Sequence, residues 1–560
     1  MSEFLKLDFN ERSDGVSPLA VETLAGEELW RYPQRQVLQE KIARINQLQA
    51  EQVLCTNGGD EAIMILMRLI NETARLILPL PAFSQYTWGV ESWQLDAELV
   101  APEQNLNIDV VATIEAISQS TGSGSENSRR NNSVTIITRP NNPTGELISE
   151  DALISILTAA KKSGGWVFLD EAYIEFSRQP CLAQSLLARF DNLVILRTLS
   201  KAFGLAGIRV GYIMGSQALI QEFEKRCMPF NIPQPSLTIA TQALSQQNRL
   251  EVSRYCQKII ENRTLLTDWL GRMDITVLTS EANFITLRLP QKQSRALSSF
   301  LAKNNVLVRC FNEALLQECV RITIPCRLEK LQSLLQQVLR PELVCLDMDG
   351  VLIDTSGSYQ ACIAQTVAHF CGDTPSPQEI EDLKNAGGFN NDWVLSQRLL
   401  QLRGVEVTLE QVTAIFQRFY LGEDDSETGD RDGLVANEVA LINAQLAAKF
   451  NQDQKLQFAI VTGRPKNEAI VGMALVGLEQ LDLISLDDVT EPKPSPQGVQ
   501  LLQRKYSTLS WMCGDNPDDM QAACASNSLA IGIGKTNADE LYQAGADVVL
   551  DDINELENWL

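Results

Sequence analysis

Short runs of β-branched and other apolar residues alternate along most of this chain with stretches whose apolar positions recur every three to four residues. The first pattern is that of buried strands and the second of helices with one apolar face; their alternation predicts parallel α/β layers. In the first half, strands are expected at Arg75–Leu80, Val134–Arg139, Trp166–Leu169, Val194–Arg197 and Val210–Met214, with helices including Asp60–Ile70 and Asp151–Lys162 between them. Ser118–Ser133 is polar, Gly/Ser-rich and aperiodic, which reads as a flexible surface insertion. From Pro233 to Arg340 long helices dominate, with strands at Asn283–Leu289 and Val320–Ile324, which predicts a smaller subdomain. A new strand (ELVCLD) opens directly after Pro341, followed by Phe458–Val461, Leu483–Ser485, Leu509–Cys513, Leu529–Ile533 and Asp547–Leu550. Ser358 to Phe450 reads as helical, and its place after the first strand of this second set makes it a cap over a site. The expected layout is a large domain over about 40–232, a small one over about 1–39 with 233–340, and a further α/β domain over 341–560 with a cap at about 356–450.

At 560 residues the chain exceeds one ordinary core. Its 44% hydrophobic and 21% charged content is that of a globular protein. The 47 basic and 71 acidic residues leave a net charge of −24, which argues against partners such as nucleic acid or an anionic membrane. Anionic small substrates must then be held by locally placed cations, backbone N–H groups or a metal. The twelve cysteines include no C-x-x-C pair and suggest reduced thiols. The acidic start has no signal-peptide core, and no apolar run is long enough to span a bilayer, so a cytoplasmic location is expected. The single histidine, His369, rules out Ser-His-Asp triads and His-rich zinc sites. Chemistry must run on lysine, carboxylates, a cofactor or a metal.

Lys201, in Thr198-Leu199-Ser200-Lys201, follows a predicted strand, where α/β sites gather, and its amine could condense with an aldehyde cofactor. Asp170 ends the apolar strand WVFLD. A carboxylate so placed can keep the ring nitrogen of pyridoxal 5'-phosphate (PLP) protonated. Tyr173, and Asn142 in the turn NNPTG, could hydrogen-bond the ring oxygen. Gly59 and Asp60, in NGGDE before an apolar helix, would offer backbone N–H groups to a phosphate, and Arg209 a fixed charge.

Taken together, these segments resemble fold-type I PLP aminotransferases, and among them histidinol-phosphate aminotransferases, which implies a large domain on a mixed or parallel α/β sheet with a smaller α/β subdomain. The resemblance runs through LDFNE, RYP, GGDEAI, PAFSQY, NNPTG, DEAY, RTLSKAFGLAGIRVGY, ANF and VRIT in order, over nearly all of 1–340. It implies that Tyr86 stacks on the ring, that Ser200 joins Arg209 on the cofactor phosphate, and that Arg321 takes the substrate's anionic end. It also implies that Tyr32 reaches the phosphate of a neighbouring subunit, hence a homodimer. The chain departs from the family where N-E-N-P-Y-G becomes Asn10-Glu11-Arg12-Ser13-Asp14-Gly15, where Phe83 replaces a tyrosine, and where Pro325 replaces a glycine. Those departures leave open a different phosphorylated amino acid as substrate.

In the second half Asp347-Met348-Asp349-Gly350 leaves a strand end. Asp347 could attack phosphorus while Asp349 passes a proton to the leaving alkoxide. Two anions beside a phosphate call for a cation such as Mg²⁺, with Asp515 and Asp519 suited to complete its ligands. Thr462 would donate to phosphoryl oxygens and Lys493 would neutralise developing charge. The ordered set DMDGVL, VTGR, PKPSP and GDNPDDM resembles haloacid-dehalogenase-like hydrolases, which implies a metal set of Asp347, Asp349, Asp515 and Asp519, with Asp518 a rival to the last. Asn390, Asn391 and Trp393 of the cap are candidate substrate contacts or cap packing.

The two resemblances together imply a bifunctional enzyme. The first half would convert imidazole-acetol phosphate and glutamate to histidinol phosphate and 2-oxoglutarate, and the second would remove the phosphate. A phosphatase of unrelated substrate, or a regulatory module, are the alternatives for the second half.

Overall fold

The computed structural model describes residues 5–12, 31–119, 132–385, 391–422, 433–453 and 455–560. Most of the expected insertion at 118–133, and Asn390, Ser13, Asp14 and Gly15, lie outside them. The chain divides into two compact units, Met1–Ser294 with Asn305–Lys330, and Arg295–Asn304 with Leu331–Leu560.

A seven-stranded sheet organises the first unit, in the order Val53–Asn57, Val210–Gly215, Leu193–Thr198, Trp166–Asp170, Asn132–Thr138, Ala74–Pro79, Ala97–Val100. The central strands are apolar on both faces, as a covered sheet requires. Val167, Leu169, Leu193 and Ile195 enter one core, while Phe168, Val194 and Leu196 alternate into the other. The sheet is mixed, as the fold-type I resemblance implies: Val210–Gly215 runs antiparallel to both neighbours. Its first residue therefore lies at the edge where its neighbours end. Thr138, Asp170 and Thr198 finish three adjacent parallel strands on that edge, and Asn57 leads directly into the helix Gly58–Thr73. A smaller antiparallel sheet of Arg309–Cys310, Cys319–Thr323, Phe284–Arg288 and Thr276–Val277 carries Arg321.

Glu146, just beyond the NNPTG turn, accepts a hydrogen bond from the Ile108 amide at 2.9 Å, and burial pushes its carboxyl up to about 7. An acid whose folded pKa is raised costs stability as pH climbs from its unfolded value through the folded one. Glu146→Gln keeps an acceptor and removes the charge. It is expected to leave the apparent Tm of the parent little changed at pH 5 and to raise it by about 2–4 °C at pH 8, read by thermal scans of the full chain.

In the second unit a six-stranded, wholly parallel sheet runs Asp482–Ile484, Gln457–Val461, Leu343–Leu346, Trp511–Gly514, Leu529–Ile533, Val548–Leu550. Asp347, Thr462 and Asp515 each follow the carboxyl end of one of its three neighbouring strands. The helices Ala361–Cys371, Pro377–Asn385, Asp392–Leu402 and Leu409–Leu421 form the cap, with a separate apolar cluster around Ile363, Leu399 and Phe416. A two-stranded ribbon, Ile353–Asp354 with Val439–Ala440, ties the two ends of the cap together. The helix Glu329–Leu339 belongs largely to this unit: the Trp511 indole N–H donates to the Gln337 carbonyl at 2.8 Å. His369 is exposed on the first cap helix, its ring beside Phe370. Among the described residues no helix is long and apolar enough to cross a membrane.

Candidate active sites

A cavity of about 510 Å³ opens at the strand-end edge of the seven-stranded sheet. Lys201 and Asp170, from adjacent strand ends, both line it, as do Gly59, Asp60, Asn142, Tyr173, Ser200, Arg209 and Arg321. Lys201 Nζ donates to the Phe9 carbonyl at 2.9 Å and lies 5.7 Å from the Tyr173 ring centre. Asp170 is 7% exposed; burial pushes its carboxyl up to about 6 against the lowering effect of hydrogen bonds from Tyr86 and the Ala172 amide. A buried carboxylate with so few donors calls for a cationic partner from the cavity.

On the phosphate side, Arg209 sits in a left-handed turn (φ 55°) and pairs with Asp60. Gly58 at the helix start has φ +71°, and a Cβ there would lie 2.6 Å from the Arg209 guanidinium. Gly211 is equally constrained, because a Cβ would stand 2.8 Å from the Gly58 carbonyl carbon. Two glycines thus let a strand and a helix N-terminus close to a distance at which backbone N–H groups and a guanidinium could share one anion. Opposite, Arg321 donates to the Asn142 side-chain oxygen and, at 2.7 Å, to the Asp8 carbonyl, while its Nε is buried without a hydrogen-bond partner. Tyr173 OH accepts from Asn10 at 3.2 Å and from Asn142 at 3.5 Å.

Tyr86, expected to stack on the cofactor ring, is not among the cavity-lining residues and pairs with Asp170. Its phenol is fully buried and donates at 2.7 Å to Oδ2 of Asp170, a residue that lines the cavity. Phe83, three residues earlier, lines the cavity instead, with its ring perpendicular to that of Tyr86. Phe83 is the non-helical residue just before the helix that begins at Ser84, whereas Tyr86 lies in its first turn, so the two rings leave backbone of different conformation. Thr198 was missed: it lines the cavity and its hydroxyl donates to Ser200 Oγ at 2.9 Å. The signal was present, since Thr198 and Ser200 share one side of a strand end two residues apart. Arg12 lies 4.0 Å over the Tyr255 ring and is not among the cavity-lining residues. Tyr32, 77% exposed and stacked on Phe230 at 4.6 Å, is also outside its own chain's cavity.

In the second unit Lys493 Nζ lies 2.5 Å from both Asp347 Oδ1 and Asp519 Oδ1. Oxygens of Asp347, Asp515 and Asp519 fall within 4.8 Å of one another, the set among the described residues suited to a metal. Burial pushes the Asp347 carboxyl up to about 7, against the pull of Lys493, and drives that of Asp515 well above its usual range. Three carboxylates against one ammonium are two negative charges in excess, which a divalent cation would balance. Glycines allow the crowding: a Cβ at Gly350 would lie 1.9 Å from Asp515 Oδ2, and one at Gly514 2.2 Å from Asp519 Cβ. Asp518, also buried, is not part of this carboxylate group. Thr462 Oγ1 accepts from the Arg464 amide at 3.1 Å, leaving its own proton to donate, and lines a second cavity of about 230 Å³ together with Lys493 and Asn391.

Asp349 differs from expectation. Its carboxylate is outside the three-carboxylate group because Arg464 holds it, through Nε at 2.8 Å and Nη2 at 2.6 Å. In this structure the Asp349 side chain, expected among the metal ligands, is an ion-paired carboxylate apart from the three grouped ones. Asn391 caps its own helix, accepting from the amides of Trp393 and Val394 at 3.0 and 3.2 Å. Lys384, which the sequence did not single out, pairs with Asp392 at 2.9 Å.

Comparison with known proteins assigns each half. Residues 3–338 match the family model "Aminotransferase class I and II", and 341–527 match "haloacid dehalogenase-like hydrolase". Histidinol-phosphate aminotransferase of Pseudomonas putida (strain W619) is 31% identical over 331 residues, 58% of this chain and 90% of the relative. Among solved structures, the histidinol-phosphate aminotransferase from Clostridium acetobutylicum aligns at TM-score 0.52 and 22% identity, covering 59% of this chain and 97% of that one. The enzyme of that name from Sinorhizobium meliloti, solved in complex with pyridoxal-5'-phosphate, aligns at TM-score 0.50 and 22% identity over 57% and 86%. The chain belongs to the class I and II aminotransferases, extended by a haloacid dehalogenase-like hydrolase domain.

Proposed function

We propose that the first unit is a PLP-dependent histidinol-phosphate aminotransferase and the second a Mg²⁺-dependent phosphatase acting on its product. The observation that carries the first assignment is Lys201 and Asp170 facing one cavity from adjacent strand ends. When bound, PLP supplies the electron sink through which an amino group changes carbon. Asp170 would hold the proton on the ring nitrogen, kept in place by Tyr86; Tyr173 and Asn142 would meet the ring oxygen, and Phe83 would cover the ring face. Gly59, Asp60, Ser200, Thr198 and Arg209, which line the same cavity, would hold the cofactor phosphate. Lys201 would anchor the aldehyde and move the proton between carbons. Arg321 would take the substrate's anionic end, its unpartnered Nε being the donor left for it. Tyr32, exposed and not among the residues lining its own cavity, fits a role across a homodimer interface, and a cytoplasmic enzyme is the matching reading.

For the second unit, Asp347 would be the nucleophile and Asp349 the acid. Lys493 and Thr462 would steady the phosphoryl oxygens, and Asp515 and Asp519, with Asp347, would hold the cation. The purified full chain, given PLP, Mg²⁺, glutamate and imidazole-acetol phosphate, is expected to form 2-oxoglutarate and then inorganic phosphate. Absence of 2-oxoglutarate would remove the first assignment. Phosphate release that does not respond to added histidinol phosphate would remove the second.

A further inference from the structure

Arg464 stands two residues past Thr462 and is 2% exposed while carrying a full charge. A buried guanidinium persists only when its donors are taken up. Here they are divided between two elements. Nε and Nη2 both bind Asp349 Oδ1 in the loop that follows Asp347. Nη2 and Nη1 bind Glu438 Oε1 and Oε2 at 2.9 and 3.1 Å, where the chain returns from the cap. The cap grips the same cation further: Tyr359 lies under it at 4.8 Å, Tyr420 OH accepts from Nη1 at 3.3 Å, and Ser358 donates to Glu438 at 3.1 Å. Gly472 closes the remaining side, since a Cβ there would lie 3.2 Å from Nη1.

We infer that Arg464 is a positioning residue that fixes where Asp349 stands relative to the leaving oxygen, and that it ties this placement to the cap through Glu438. The inference rests on the phosphatase reading above. Both Arg464 bonds fall on Oδ1, which leaves Oδ2 as the oxygen able to carry the proton. In the step concerned, an Asp347 oxygen bonds to phosphorus, the phosphorus–alkoxide bond breaks, and the Asp349 proton moves to the departing oxygen. An alcohol leaves, Asp347 becomes an acyl phosphate, and Asp349 is left as carboxylate. An alkoxide needs that proton, whereas p-nitrophenolate leaves without it.

The test compares kcat/KM, which includes all steps through phosphoryl transfer, for p-nitrophenyl phosphate and for the better alkyl ester among histidinol phosphate and glycerol 3-phosphate. Arg464→Gln is expected to lower the alkyl value by about 100-fold and the aryl value by less than about tenfold. Arg464→Lys should recover part of the alkyl loss, because an ammonium can still reach Asp349 but cannot span both carboxylates. Glu438→Gln, which leaves the Asp349 contact in place, should show the same bias at smaller size. Equal losses on both esters across the three variants would overturn the inference and leave Arg464 a structural ion. A parent that hydrolyses neither ester fails the phosphatase reading itself, a result distinct from equal losses in the variants.

Discussion

Replacing Lys201 with alanine is expected to lower transamination by roughly 10⁴-fold and to abolish the visible absorbance that PLP acquires when joined to a lysine. The size follows from two functions lodged in one amine: it anchors the cofactor's aldehyde, and it is the cavity group placed to move a proton between carbons. The protein should fold as before. Lys201 lines the cavity and is only partly buried, and the hydrogen bond it loses is one to the Phe9 carbonyl, worth about 1 kcal/mol. Hydrolysis of p-nitrophenyl phosphate should be unchanged, because Asp347, Lys493 and Asp519 belong to the other compact unit. The variant is read by titrating PLP against the spectrum and by assaying 2-oxoglutarate. A variant that keeps the lysine-type absorbance would move the anchor to another amine. One that keeps turnover would end the PLP reading of this cavity.

Much of this arrangement is legible in the sequence because it depends on strand ends. Apolar runs locate the strands, and the polar residue closing each run is the one a parallel sheet delivers to its carboxyl edge: Asp170, Thr198, Asp347, Asp515. What period and composition do not carry is direction and facing. The antiparallel run of Val210–Gly215 leaves no trace in its own residues, since a strand buried on both faces reads alike either way. The edge strands Val53–Asn57 and Ala97–Val100 were passed over, the second being short and partly exposed. Tyr86 and Phe83 show the same limit at a site. Both lie in PAFSQY, and only the helix that starts at Ser84 decides that one ring meets the cavity and the other meets Asp170. Asp349 is the counterpart in the second unit. The family resemblance implies a metal ligand there, but Arg464, far along the chain, pairs with its carboxylate as well as with Glu438. Long-range partners of that kind have no local signature.

Replacing Asp347 with asparagine is expected to lower phosphate release by about 10⁴-fold or more while transamination continues at the parent rate. The carboxylate oxygen is the atom that must bond to phosphorus, and an amide is too weak a nucleophile to take its place. Burial disfavours the ionised form of Asp347, whose carboxyl is pushed up to about 7, so a neutral isostere relieves a cost carried by the parent at pH 8. Lys493 would still have Asp519 at 2.5 Å. The apparent Tm without metal should therefore hold or rise at pH 8, and that rise should shrink at pH 5, where the parent carboxyl is already protonated. Supplied with glutamate and imidazole-acetol phosphate, the variant should accumulate histidinol phosphate where the parent releases inorganic phosphate. That accumulation separates the two halves within one polypeptide. If Asp347→Asn kept releasing phosphate from histidinol phosphate, the nucleophile would lie elsewhere and the acidic group around Lys493 would lose its assigned role. If the variant stopped turning over p-nitrophenyl phosphate while histidinol phosphate was untouched by either protein, the phosphatase would be real and its substrate different.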